Sequence, residues 1–577
     1  MNVILQALTC CLLFLGTIFG LGLPVVLSWR LEAAEKLCAA AALGLVTVYL
    51  SALAFYWTDA PVLAYFALPA AAGLLGSARW RTAFRLLAER DVRLLLTSYV
   101  IATGWALGLL ALVRSYSGAS WSLDWADHYA RALFFSRHWA ADHPLFGRDL
   151  LTTRPPLANV VTGAFLSLMG TDFPLFQIFT TLASSLAFLP GWLLARHFSR
   201  GNARGPAFFA LLYMLSPSVM ENSTFAWTKL PTVFFVLSGL YFFLPAGAAG
   251  SNRRIAAVFA LLAAGFLAHY SAGPYIVALT AAYFWGRRSR WRQAAFWRET
   301  IGCALPAGAL LLTWFSWSVA TYGWNRTFLS NSSVTESTAR SPAGFLAAKG
   351  LNLYHTVVPH PLRPVDYGFI AQASRIGHLR DYFFLLYQVN LVLLFGSVGG
   401  VALLWLLWRE GRGPPSGAAG GSPRSFWIWF VASTALIGIF VCGDGDDWGV
   451  AHLCLQSLLG LGLAYLGGCF DRLSRWWRGA LAVGLAADFI LGIGLQFFLE
   501  NISHPASELL GDGGASLIRV YGLGTWGNLR AKILHQLVFV GDWPIARPLL
   551  VTLLGCLLLL ALSRLRFASA PRHVETA

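Results

Sequence analysis

Apolar segments long enough to enter a lipid bilayer recur from one end of this 577-residue chain to the other. A helix needs about 20 apolar residues to cross the hydrocarbon core, and several of these segments approach or exceed that length. The sequence therefore predicts an all-α polytopic membrane protein with about fifteen candidate spans, some of them short for a full crossing. They lie near residues 3–28, 35–56, 60–76, 94–113, 174–196, 206–220, 229–247, 255–270, 273–286, 299–320, 382–408, 426–442, 452–470, 479–499 and 548–563.

The composition excludes an ordinary soluble domain. Hydrophobic residues make up 57% of the chain and charged residues only 12%, against about 25% charged in soluble domains. The net charge of +16 could point to nucleic acid, but many of the arginines cluster in short stretches between apolar segments. That distribution is typical of membrane topology and anionic lipid headgroups, so we predict no nucleic-acid partner.

The basic clusters also orient the predicted spans. Arginines are dense between the third and fourth spans and then in every second connection, which the positive-inside rule assigns to the cytoplasm. This places the N-terminus and the long loops 114–173, 321–381 and 500–547 outside. The predicted organisation is 1–113 N-terminal helices, 114–173 first outer loop, 174–408 membrane core including loop 321–381, 409–425 cytoplasmic linker, and 426–577 C-terminal helices including loop 500–547.

The first outer loop contains a polar patch with helical spacing. Asp124, Asp127, His128 and Arg131 follow the i, i+3, i+4, i+7 pattern of one face of a helix over 124–135. Two carboxylates and an imidazole on one face can act as a general base with its tuning partners. The alternative is a solvated face on which Asp127 and Arg131 form an ordinary i,i+4 ion pair.

A second helix is predicted over residues 156–170. Proline stands at its first turn, and apolar residues recur at helical spacing from Leu157 to Leu168. Fifteen helical residues rise only about 22 Å, short of a core about 30 Å thick. We therefore expect this amphipathic helix to lie in the outer membrane interface.

Together these motifs resemble those of the C-type (GT-C) glycosyltransferases. The similarity is greatest to the branch of protein O-mannosyltransferases and the lipid A aminoarabinose transferase. That branch has an Asp-Glu pair followed by an aromatic residue and Ala, where this chain has Asp127-His128-Tyr129-Ala130. It also has a His- or Lys-Pro-Pro-Leu step, where this chain has Arg154-Pro155-Pro156-Leu157. The resemblance covers roughly residues 114–320 and implies a GT-C-like helical bundle whose first outer loop carries amphipathic helices.

The resemblance implies roles for individual residues. Asp127 matches the catalytic acid, Arg154 matches the basic residue that contacts phosphate, and Asp124 becomes a supporting acid one turn earlier. His128 departs from the family's second acid, which argues against a metal bridge; we predict no cofactor and no metal site, although a divalent ion is compatible with the sequence.

Two more residues at the outer edge of the membrane are candidates for binding the donor phosphate. Lys229 begins a span, where an ionisable residue is a functional candidate, although its side chain could instead snorkel to the headgroups. His269 lies in the next outer connection and could donate to a phosphate oxygen or cap a helix.

These features predict a multi-pass membrane enzyme in the bacterial inner membrane with its active site facing outward. It would move a sugar from a polyprenyl-phosphate donor to the hydroxyl of a glycan, lipid or protein acceptor, with inversion at the anomeric carbon. The alternative is a polytopic transporter or lipid flippase, which would carry ionisable residues within its spans. Asp488 is the main acid inside a predicted span.

Overall fold

A computed structural model describes the following residues of the chain: 3–114, 116, 124–143, 151–246, 251–329, 341–359, 362–363, 386–388, 391–412, 424–441, 455–498, 538–544 and isolated positions between 546 and 555. Every regular element within these residues is a helix, which confirms the predicted all-α class. In chain order the α-helices are α1 (Val3–Val26), α2 (Ala33–Trp57), α3 (Ala67–Ala78), α4 (Trp80–Ala88), α5 (Arg90–Leu110), α6 (Asp124–Ser136), α7 (Leu157–Met169), α8 (Phe173–Ser185), α9 (Phe188–Phe198), α10 (Arg204–Leu215), α11 (Pro217–Thr224), α12 (Lys229–Ala246), α13 (Asn252–Ala268), α14 (Gly273–Gly286), α15 (Ala294–Tyr322), α16 (Pro342–Val357), α17 (Gly396–Arg412), α18 (Arg424–Val441), α19 (Leu455–Gly468) and α20 (Arg475–Gly492).

Helices long and apolar enough to cross a bilayer identify an integral, multi-pass membrane protein. Six helical stretches among the described residues meet that test, or up to eight if each of two bent pairs is one span. The bent pairs are 62–78 with 80–88, at 76°, and 217–224 with 229–244, at 115°. The other predicted segments that are described are shorter helices, so the count of fifteen crossings, the alternation of loops and the domain boundaries stay predictions.

The N-terminal helices pack against the first outer loop instead of standing apart from it. Helix α2 contacts α7, and α1 contacts α8. As a result α7 is covered by protein, with Val160, Ala164 and Phe165 all about 1% exposed or less. The expectation that this helix lies in the lipid interface is therefore corrected: its apolar face meets neighbouring helices, whose positions its own periodicity cannot reveal.

Helices α6 and α7 form a close pair that fixes the geometry of the loop. At Gly163 the two backbones approach so closely that an added Cβ would lie 2.7 Å from the carbonyl oxygen of Ala132. Any larger residue at 163 would push α7 away from α6. The register of the two helices, and with it the distance between their polar side chains, is set by this contact.

The two other long outer loops are described in part. Loop 321–381 contains a π-helical turn, Asn325–Leu329, and helix α16. From loop 500–547 the short segment 538–544 is described, and it packs beside the first outer loop. Much of the predicted linker 409–425 lies outside the described residues, and α17 extends into it as far as Arg412; most of the last predicted span, 548–563, also lies outside them.

Asp488, the acid on which the transporter alternative depends, has a structural environment. It is 5% exposed in α20, and its carboxylate accepts hydrogen bonds from the Tyr387 hydroxyl at 3.1 Å and from the backbone N–H of Ser397 at 2.8 Å. The Ser397 hydroxyl donates to it as well, at 3.1 Å. Because Ser397 is in the first turn of α17, the carboxylate caps a neighbouring helix, which is a sufficient reason for an acid at this depth.

Candidate active site

The polar face of α6 is buried. Asp127, His128 and Arg131 are 7%, 4% and 1% exposed, so the structure excludes the alternative of a solvated face. The helix begins at Asp124 and carries both acids in its first turn, where a negative charge interacts favourably with the helix dipole. The expected i,i+4 ion pair does exist, with Arg131 Nε 2.9 Å from Asp127 Oδ2, but it lies inside the protein.

Arg131 fastens α6 to the segment that precedes Arg154. Besides Asp127, its guanidinium donates to the carbonyl oxygen of Leu151 at 2.6 Å and to Thr153 Oγ1 at 2.9 Å. The same segment is held from the other side by the Tyr270 hydroxyl, which donates to the Thr152 carbonyl at 3.1 Å. These bonds position the turn Leu151–Thr153 and therefore the residue that follows it.

Arg154 lies between the two acids of α6. One of its NH2 groups donates to Asp124 Oδ1 at 3.0 Å, and its Nε is 3.7 Å from Asp127 Oδ2. The side chains of Arg154 and Asp124 are 20% and 26% exposed, against 10% for Asp127. The three residues thus grade from a buried carboxylate to a partly exposed ion pair.

Asp127 is held ionised, and one of its carboxylate oxygens has no hydrogen-bond donor among the described residues. Burial alone would raise the pKa of Asp127, but the charges of Arg131 and Arg154 outweigh it and hold that pKa below its ordinary value. Both arginines lie against Oδ2, whereas the buried Oδ1 accepts no hydrogen bond within the described part of the chain. A buried carboxylate oxygen without a donor is costly in a folded protein and calls for a partner.

His128, the next residue on α6, contacts α7. Its Nδ1 is 3.1 Å from Asn159 Oδ1 on α7. Burial, with a smaller contribution from the Arg154 charge, lowers the pKa of His128 to about 4 despite the nearby Asp127. The ring is therefore neutral at physiological pH.

Lys229 begins α12 directly after the 115° break that follows α11. It is 4% exposed, and its ammonium lies 3.3 Å from the centre of the Trp227 ring, a cation–π contact. Asp124, Glu221 and Arg154 are the charges that act on it most. The charges of the predicted donor-phosphate ligands Arg154 and Lys229 thus act on each other, and the snorkelling alternative does not describe this buried side chain.

His269 follows the capping alternative in the contact that the structure describes. His269 directly follows α13 and caps the start of the turn Tyr270–Ala272. Its Nδ1 accepts a hydrogen bond from the backbone N–H of Ser271 at 3.1 Å. The adjacent Tyr270 links this turn to Thr152 and so to the arginine cluster. A role for His269 in binding phosphate stays a prediction.

An aromatic cluster packs against Trp125 in the first turn of α6. Trp125 packs against Phe173, Tyr116 and Phe539, with ring centres 5.0, 5.4 and 5.8 Å apart. The segment that carries Phe539 is tied down by Val540 N–H donating to Gln177 Oε1 at 2.9 Å. This end of loop 500–547 therefore belongs to the scaffold of the site.

Sequence reasoning missed several members of the site. Asn159 is a polar residue on an otherwise apolar helix, which was the available signal for it. Trp227 and Glu221 stand in the same connection as Lys229, but nothing local shows that this chain break folds toward α6. Segment 538–544 lies nearly four hundred residues from Arg154 in the sequence, and nothing in its local sequence indicates that it packs beside α6.

No group of three or more His, Cys, Asp or Glu side chains placed to hold a metal ion occurs among the residues that the structure describes. Whether the reaction needs a divalent ion therefore stays at the level of the sequence prediction.

Comparison with known proteins gave matches to solved structures alone. No family model matches the chain, and no curated protein sequence does. The crystal structure of ArnT from Cupriavidus metallidurans bound to undecaprenyl phosphate is 16% identical, covers 82% of this chain and 78% of its own, and gives a TM-score of 0.40. The apo state of the same protein is 17% identical, with coverages of 78% and 75% and a TM-score of 0.41. The chemistry proposed below is argued from the geometry of the site.

Proposed function

We propose that this protein is an inverting glycosyltransferase that moves a sugar from a polyprenyl-phosphate donor to a hydroxyl group of an extracytoplasmic acceptor. The observation that carries the proposal is the buried Asp127 carboxylate, whose Oδ2 lies against two arginines and whose Oδ1 accepts no hydrogen bond from the described residues. Sugar transfer to a hydroxyl needs a fixed carboxylate that can take the hydroxyl proton, next to positive charge that can receive a phosphate leaving group.

The acceptor hydroxyl would donate to Asp127 Oδ1. As the acceptor oxygen forms its bond to the anomeric carbon, the hydroxyl proton passes to the carboxylate and the bond from that carbon to the phosphate oxygen breaks. Attack from the face opposite the phosphate inverts the anomeric configuration. Arg131 keeps the carboxylate in place. The guanidinium of Arg131 donates hydrogen bonds to Asp127, Leu151 and Thr153, and these bonds prevent it from turning toward a ligand.

The leaving phosphate would lie against Arg154 and Lys229. Arg154 is the more exposed of the two arginines beside Asp127, and its partner Asp124 is exposed enough to be displaced by a phosphate. Lys229 adds a second positive charge at the start of α12, where the helix dipole also favours an anion. The lipid tail of the donor would leave this rim between membrane helices, which suits an outward-facing site in an inner membrane.

The transporter or flippase alternative has less support. Its main intramembrane acid, Asp488, is occupied in capping α17, whereas Asp127 on α6 has a carboxylate oxygen that accepts no hydrogen bond from the described residues. Because the leaving group is already a lipid phosphate, the proposed reaction requires no nucleotide cofactor. Its partners would be the polyprenyl-phosphate sugar, membrane lipids and the glycan, lipid or protein acceptor.

The test is transfer by purified protein in nanodiscs. A polyprenyl-phosphate donor with a radiolabelled sugar is incubated with a cell-envelope extract as acceptor, and label in the extract is measured with and without protein. Arg154→Gln should raise the KM for the donor about tenfold to a hundredfold, since a charge-assisted hydrogen bond contributes about 1.5–3 kcal/mol. The matched control is Arg137→Gln, because Arg137 is exposed and bonds Thr171 away from the acids.

Failure of wild-type protein to transfer label, combined with failure to bind undecaprenyl phosphate, would reject the enzyme and favour the transporter. Equal donor KM values for Arg154→Gln and wild type would reject the proposed phosphate site.

A further inference from the structure

A small cavity is lined by His128, the neighbour of Asp127 on α6. Its walls include His128 on α6, Asn159 on α7, Thr180 on α8, and Trp227 with Thr228 just before α12. Its volume is about 10 Å³, which is room for one water molecule or one hydroxyl group. The proposed transfer assigns it no part.

One wall of this cavity carries a hydroxyl with no partner. Thr228 is 4% exposed, and its Oγ1 makes no hydrogen bond within the described residues. A threonine directly before a helix commonly accepts a backbone N–H of the first helical turn with its hydroxyl oxygen, and Thr228 makes no such bond within the described residues. Buried polar groups are normally hydrogen-bonded, so a Thr228 hydroxyl without a partner among the described residues points to a ligand.

The other wall carries an imidazole whose protonation is set by its neighbour. Asn159 Oδ1 can only accept, so the bond at 3.1 Å places a proton on His128 Nδ1 and leaves a lone pair on Nε2. No described residue bonds Nε2. The charges around the ring are Asp124, Asp127 and Arg131 on α6 and Arg154, and α7 faces it with the uncharged Asn159. A neutral acceptor of this kind can take a hydrogen bond from a hydroxyl group.

We propose that His128 and Thr228 form a binding subsite for a sugar hydroxyl, with His128 Nε2 accepting its proton in a hydrogen bond and Asn159 acting as the positioning residue. The inference rests on the proposed function, because the hydroxyl would belong to the donor sugar or to the acceptor. It gives His128 a role distinct from that of a base: it recognises a substrate hydroxyl by a hydrogen bond and leaves proton abstraction to Asp127. A site built to bond a hydroxyl rejects analogues that lack it.

The test replaces Thr228 by valine, which keeps the shape and removes the hydroxyl. We expect the variant to raise the half-saturating amount of one substrate about three- to tenfold, the size of one neutral hydrogen bond. A rise in the KM for the sugar-linked donor, with an unchanged Kd for sugar-free undecaprenyl phosphate, assigns the hydroxyl to the donor sugar. A rise in the amount of envelope extract needed for half-maximal rate assigns it to the acceptor. Asn159→Leu should affect the same substrate, and Thr232→Val, the same change one turn along α12, should affect neither.

A second readout does not depend on turnover. In protein labelled with ¹⁵N-histidine, the His128 signal is assigned by its loss in His128→Gln. It should show a neutral ring protonated at Nδ1, and it should shift when the sugar-linked donor or the extract is added but not with undecaprenyl phosphate alone. If neither substrate moves this signal and Thr228→Val leaves both half-saturation values unchanged, the cavity holds only a structural water and the subsite is rejected. If wild type transfers no sugar but the signal still shifts with the glycolipid, the proposed function fails while the subsite stands.

Discussion

Replacing Arg131 by methionine tests whether the buried ion pair of α6 is a structural requirement of the site. Arg131 is 1% exposed and donates to Asp127, Leu151 and Thr153. Methionine fills similar volume but leaves the Asp127 carboxylate buried with Arg154 at 3.7 Å as its nearest described cation. Removing one partner of a buried ion pair costs about 3–5 kcal/mol of stability. Loss of the hydrogen bonds to Leu151 and Thr153 costs about 1 kcal/mol more for each bond. We therefore expect the free energy of unfolding to fall by at least about 3 kcal/mol.

The assay is reversible unfolding in mixed micelles, followed by tryptophan fluorescence, with Arg137→Met as the exposed control. A double-mutant cycle adds Asp127→Leu, alone and with Arg131→Met. Because the double variant removes both charges together, it should be more stable than the sum of the two single losses predicts, by about 1–3 kcal/mol of coupling. A loss below about 1 kcal/mol for Arg131→Met, or additive losses in the cycle, would show that the pair behaves like a surface ion pair and would refute the reasoning.

Two further predictions concern groups whose environments are unusual. His128 is buried with its pKa lowered to about 4, so between pH 4 and about 6.5 the unfolded chain binds a proton that the folded protein does not. The free energy of unfolding should therefore fall as the pH drops through this window, by up to about 3 kcal/mol from this residue. In His128→Gln this part of the pH dependence should be missing. An identical pH dependence of unfolding in the variant and in wild type would contradict a buried neutral ring. Gly396 has a φ of +80°, and a Cβ there would clash with the Asp488 carboxylate that caps α17. Gly396→Ala should therefore lower the unfolding midpoint by more than Gly350→Ala, the same change at a helical position with open space around it. Equal midpoints for the two variants would refute the cap.

The local parts of this structure could be predicted from the sequence. The spacing of Asp124, Asp127, His128 and Arg131 predicted one helical face, and the structure begins α6 at Asp124. The periodicity from Leu157 to Leu168 predicted α7, which runs Leu157–Met169. Both patterns arise within a few turns of one helix, where i,i+4 geometry determines which side chains meet.

The surroundings of these helices could not be predicted in the same way. An amphipathic helix has the same pattern whether its apolar face meets lipid or protein, so α7 was assigned to the interface although α2 and α8 cover it. Likewise an i,i+4 pair looks the same on a solvated and on a buried face. The partners that decide these questions come from distant parts of the chain, as Asn159, Tyr270 and Phe539 do.

The most direct test of the account is the rate of sugar transfer by Asp127→Asn. Asparagine keeps the shape of the side chain but cannot take a proton, so with saturating polyprenyl-phosphate donor the rate should fall by a factor of about 10²–10⁴. The Kd for undecaprenyl phosphate should stay within a few-fold of wild type, because Arg154 and Lys229 remain. Asp142→Asn, the same change at an exposed acid beyond the end of α6, should transfer at the wild-type rate. Transfer by Asp127→Asn at a rate close to wild type would show that this carboxylate is not the base and would contradict the account.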